Sequence, residues 1–112
     1  MGFDEGLAQR VRELISDQPG YQEKKMFGGI GFLIHGNMAC GVIRDDLIVR
    51  VGAEKYTDSL LNSHVELFDI TGRAMTGWVL VKEPGYRNDL DLDKWISLGL
   101  AYALTLPPKE SK

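Results

Sequence analysis

Few residues in this 112-residue chain are of types that do chemistry, and they are scattered. There is one cysteine, Cys40, and there are two histidines, His35 and His64. A nucleophilic thiol needs an electropositive, partly exposed setting with a base beside it. Cys40 lies instead in the apolar run from Met38 to Ile43 and reads as a small buried hydrophobe. The histidines lie far apart in sequence, with His35 in a turn, so Cys40 with His64 is the conceivable nucleophile and base pair. A single cysteine allows no intrachain disulfide. Asp45-Asp46 reads as a turn, and no cluster of His, Asp or Glu has ligand spacing, so no metal and no cofactor is expected. Gly28-Gly29-Ile30-Gly31 lacks the Gly-Lys-Ser/Thr and the following helix of a phosphate loop. It also lacks a third glycine at the spacing of a dinucleotide fingerprint, and the helix start, so strand geometry is its better reading.

Four cations lie nearest the predicted strands: Lys24, Lys25, Arg50 and Arg73. Brought together they would make an anion or nucleic-acid contact; kept apart they are solvated strand ends. The formal charge of −3, from 13 basic and 16 acidic residues, opposes non-specific nucleic-acid binding. The aromatic and basic interleaving of RNA-binding sheets is missing. Phe32, Cys40, Trp78 and Trp95 are candidate core or interface anchors. A pocket near Cys40 or Trp78 would mark the remaining alternative, a small-ligand binder or an enzyme.

The elements that must position these residues follow from periodicity. Asp4 can cap a helix over about 5–17, with Leu7, Val11, Leu14 and Ile15 on one face. Pro19-Gly20 stops it. Residues 21–27, 30–34, 38–43 and 47–51 are short apolar or mixed runs separated by tight turn signals, which predicts an antiparallel meander. A helix is predicted over 53–62, extended chain over 65–70 and a strand over 77–81. Pro84-Gly85 ends that strand, and Asp89 or Asp91 caps a last helix reaching about Leu106. Strands that come in consecutive runs predict one α+β domain over 1–112. It is a two-layer sandwich with an antiparallel sheet of about five strands, in the order α-β-β-β(-β)-α-β-β-α.

With Gly36-Asn37 as a two-residue loop, Ile34 faces Ala39, Phe32 faces Gly41 and Ile30 faces Ile43. Leu33, Met38, Cys40 and Val42 then lie on the opposite side. Both sides are apolar, whereas a sheet with one wet face alternates polar and apolar. The helices are expected to cover one face. The other predicts a second cover: a protein partner, a second copy in a homodimer, a ligand, or the chain's own segments.

The N-terminus lacks a basic region followed by an apolar core, and no run is long enough to span a membrane, so a cytoplasmic location is expected.

Several stretches together resemble the TfoX N-terminal domain family, the amino-terminal half of the TfoX/Sxy regulators of bacterial competence. They are Asp4-Glu5-Gly6-Leu7, Lys24-Lys25-Met26-Phe27-Gly28-Gly29 with Phe32, Gly36-Asn37-Met38 and Ala39-Cys40-Gly41-Val42. Leu47-Ile48-Val49-Arg50-Val51-Gly52, Phe68-Asp69, Gly72-Arg73-Ala74-Met75, Gly77-Trp78 and Leu106-Pro107-Pro108 continue the match. The resemblance implies a two-layer α+β fold and no established catalytic residues. With the doubly apolar meander and the lack of catalytic residues, the expectation is a non-catalytic regulatory domain acting through protein interaction, with nucleic-acid contact through Lys24, Lys25, Arg50 and Arg73 as the first alternative. The family's longer members are linked to activation of DNA-uptake genes beside a cyclic-AMP-responsive regulator, and carry a second domain. This chain stops at Lys112, so the competence role is not expected to transfer with the domain.

Overall fold

A computed structural model describes residues 3–26, 28–69, 72 and 75–109. The elements run α1 (Glu5–Ile15), β1 (Tyr21–Met26), β2 (Gly29–Ile34), β3 (Asn37–Ile43), β4 (Asp46–Arg50), α2 (Ala53–Leu60), β5 (Val65–Leu67), β6 (Trp78–Val81), α3 (Glu83–Tyr86) and α4 (Asp89–Leu104). The class and order agree with the α+β expectation, with six strands in place of about five and one added short helix. Strand order is β1-β2-β3-β4-β6-β5, and every pairing is antiparallel. After the four-stranded meander the chain crosses through α2 to the far edge. It then returns as β6 between β4 and β5.

Local chemistry explains the ends. The Asp4 carboxylate accepts from the Leu7 backbone N–H, a cap worth about 1 kcal/mol. The last helix is capped by Asn88, whose side chain accepts from Asp91 N–H at 2.8 Å, and not by Asp89 or Asp91. Pro84-Gly85 does more than end a strand. Pro84 lies at the start of α3, where a missing N–H costs nothing.

The β2–β3 turn corrects the sequence register. Its loop is His35-Gly36, with φ of 51° and 83°, and Asn37 already pairs with Ile34. Two positive φ values are what a tight hairpin of this twist requires, and histidine tolerates them better than most residues. Asn37 is buried and donates to the Pro107 carbonyl, which holds it in the strand. A bulge then shifts the pairing, so Leu33 faces Met38 but Phe32 faces Cys40, Gly31 faces Gly41 and Ile30 faces Val42. Phe32 is therefore not opposite Gly41. Its ring stacks on Tyr21 instead, with centroids 6.4 Å apart.

The bulge also re-sorts the faces. Ile30, Phe32, Ile34, Ala39, Cys40 and Val42 share one core with α1, α4 and the inward residues of β4 and β6. Met38, Ile43, Ile48, Phe68 and Leu80 form a second cluster on the opposite face, and no helical residue belongs to it. Its cover comes from Met26, Leu33, Met75 and Trp78. Met38 is 9% exposed and Ile48 fully buried, so of the covers the sequence left open for this face, the chain's own segments supply one.

Candidate functional site

One residue from each group of candidates, Arg50 and Trp78, meets at one end of the sheet. Arg50 ends β4 and pairs with Trp78 at the start of β6, so both project from the same face. The Arg50 guanidinium carbon lies 5.0 Å from the Trp78 ring centroid and 5.4 Å from that of Tyr102 on α4. Trp78 is seated in turn against Phe68, with centroids 6.2 Å apart.

Glycine makes this geometry accessible. Gly52 has φ of 87°, and a Cβ there would stand 2.5 Å from the Tyr102 ring. The ring therefore lies directly over bare backbone. Gly77 O accepts from both Val51 N–H and Gly52 N–H, at 2.8 and 3.0 Å, which pins the strand end under the rings. Gly77 itself has φ of 93°. Sequence reasoning named Arg50 and Trp78 but missed Tyr102. Its signal was its place on α4 beside the packed stripe of Gly99 and Ala103, which was read as core only.

Among the described residues Arg50 has aromatic neighbours but no carboxylate partner. Among the described residues no acceptor takes a hydrogen bond from it, and it forms no ion pair. No buried side-chain nitrogen is left unpaired, so its N–H groups reach solvent. The faces of this cation are partly occupied by π systems, while its donor edge stays open for a planar anion.

The other candidates stand elsewhere. Lys24 and Lys25 are exposed on the edge strand β1, and as neighbours in a strand they point to opposite faces. Arg50 is three strands away, about 14 Å at normal strand spacing. Arg73 lies outside the described residues. Phe32 and Cys40 are fully buried in the main core. Burial pushes the Cys40 thiol up to about 12, which removes it as a nucleophile near neutral pH. Trp95 is half-buried on α4 and lines a cleft against α2. Among the described residues no group of three His, Cys, Asp or Glu side chains is arranged to hold a metal ion.

The TfoX N-terminal domain matches this chain over residues 13–103. The chain belongs to the TfoX N-terminal domain family. No curated protein and no solved structure matches it. The TfoX N-terminal match spans β1 to α4, and so contains Arg50, Trp78 and Tyr102 as well as the Gly52 and Gly77 backbone beneath them. No helix among the described residues is long and apolar enough to cross a membrane.

Proposed function

We propose that this TfoX N-terminal domain is a non-catalytic regulatory module of the cytoplasm that works by binding a protein partner. Its anchor is the open guanidinium edge of Arg50, held by Trp78 and Tyr102. The observation that carries this reading is an arginine fixed by two rings yet left without an acid among the described residues. Arginine, tryptophan and tyrosine dominate interface energetics, and an anchor already ordered loses little entropy on binding. The complementary group on the partner is a carboxylate, taken by two parallel N–H donors.

The reading favours protein over nucleic acid because Lys24 and Lys25 diverge and Arg50 stands apart from them. A phosphate backbone is held by several cations in a row.

A photoreactive amino acid placed at exposed Thr76, next to the cluster, tests it. A discrete protein adduct is expected in cells, absent from the same probe at exposed Glu13 and lost on Arg50→Ala. Equal labelling at both positions, or labelling indifferent to Arg50, would refute the proposal.

A further inference from the structure

A well-formed concavity lies on the helical side of the domain. It is a cleft of about 840 Å³ between α2 and α4, closed at one end by residues 62–64 and α3. None of Arg50, Trp78 and Tyr102 lines it. Its size falls within the range of small-ligand sites, roughly 300–1,000 Å³.

Its walls are unusual in leaving polar groups unused. Ser59 is only 5% exposed yet lies on α2 at the cleft wall. A serine inside a helix normally returns its hydroxyl to a carbonyl one turn back. The Ser59 carbonyl accepts from Asn62, but its hydroxyl has no hydrogen-bond partner among the described residues, and no buried side-chain oxygen is left unpaired, so the hydroxyl opens into the cleft. Across from it, Asp91, Trp95 and Leu98 follow the i, i+4, i+7 spacing of one helical stripe. That stripe presents a half-buried carboxylate, an indole and an aliphatic surface in succession. Lys55 on α2 and Lys94 on α4 stand at the exposed margin. Neither lysine is ion-paired with Asp91 or any other acid among the described residues.

We propose that this cleft binds a zwitterionic ligand with an apolar body, an aromatic or branched-chain α-amino acid. The ligand's ammonium pairs with Asp91 and donates to the Ser59 hydroxyl. Its carboxylate meets the lysines of the margin. Its side chain lies against Trp95 and Leu98. Asp58 and Asp93 also line the cleft, so a plain anion would face three carboxylates, whereas a zwitterion meets Asp91 and the margin lysines together. Regulation would follow if occupancy altered the packing of α4, which carries Tyr102 of the sheet-end cluster as well.

Titration of the full chain with L-tryptophan and L-leucine, followed by amide chemical shifts, tests the site. Shifts confined to residues around Ser59, Asp91, Trp95 and Leu98 are expected. Tryptamine, which lacks the carboxylate, and N-acetyltryptophan, which lacks the ammonium, should each bind about tenfold or more weakly. Asp91→Asn and Ser59→Ala should weaken L-tryptophan by a similar factor, with melting temperatures showing that both remain folded. No shifts with either amino acid at concentrations on the order of 10 mM would overturn the proposal. So would tryptamine binding as well as tryptophan, because the lysines would then have no role. The result is independent of whether a protein docks at Arg50.

Discussion

Arg50 and Trp78 are cross-strand partners, and the cation of one lies 5.0 Å from the ring centroid of the other. This contact orders a residue whose hydrogen-bonding edge remains free. The contact itself is worth about 0.5–1 kcal/mol at a partly exposed site. Arg50→Lys should therefore change stability by less than about 1 kcal/mol while removing the planar donor fork. Denaturant melts of the two proteins check the first half of that statement. A loss well above this range would mean that Arg50 serves the fold.

The glycines of the sheet separate by what their missing side chains would strike. A Cβ on Gly99 would stand 2.4 Å from the Ala39 carbonyl oxygen, where α4 crosses β3. Backbone cannot swing aside, so Gly99→Ala should destabilise by about 1–3 kcal/mol. A Cβ on Gly31 meets only the ends of Met26 and Met38, which are flexible thioethers. Gly31→Ala should cost less than about 1 kcal/mol. Gly41→Val strikes both Ile30 O and Met38 and belongs with the costly class. Equal melting temperatures for Gly31→Ala and Gly99→Ala would refute this distinction.

Much of this architecture was legible in the residues. Period-2 and period-3.6 patterns placed the meander and the three long helices, and the doubly apolar strands correctly announced two buried faces. The register was not legible, because it depends on His35 taking a positive φ and on Asn37 being held by Pro107, a contact between residues distant in sequence. The bulge that follows moved Cys40 and Val42 to the helical side. Which segments supply the second cover was not legible for a similar reason. Phe68 and Met75 fold back over the sheet from a stretch whose composition signals only a turn. At the candidate site Arg50 and Trp78 stood out by type, but their pairing required knowing that β6 inserts between β4 and β5.

Cys40 offers a simple probe of the main core. It is fully buried, and its thiol titrates only at about 12. A thiol reagent near neutral pH should leave the native protein unlabelled and react promptly once the chain is unfolded. Rapid labelling under native conditions would contradict the packing of β3 against the helices.

One acid-sensitive contact ties α1 to the edge strand. Arg12 Nη2 donates to Glu23 Oε1 at 3.0 Å, and Tyr21 also bonds Glu23. The Arg12 hydrogen bond holds the Glu23 carboxyl below its ordinary value of 4.5, against an opposing effect of burial. A depressed folded pKa means the contribution is present above that ordinary value and lost as pH falls through the folded one. Stability measured from about pH 6 down to about pH 3 should decline more in the native protein than in Glu23→Gln, by up to about 1 kcal/mol for a partly exposed pair. Parallel pH profiles would show that the contact contributes nothing.

The affinity of the crosslinked partner for the native domain, Arg50→Ala and Arg50→Glu, measured by calorimetry, tests the central claim most directly. The account predicts a loss of about tenfold or more for Arg50→Ala and a larger one for Arg50→Glu, with native-like melting temperatures for both. Affinities within about twofold of the native value would contradict it, since an open arginine anchor at the interface cannot be so dispensable.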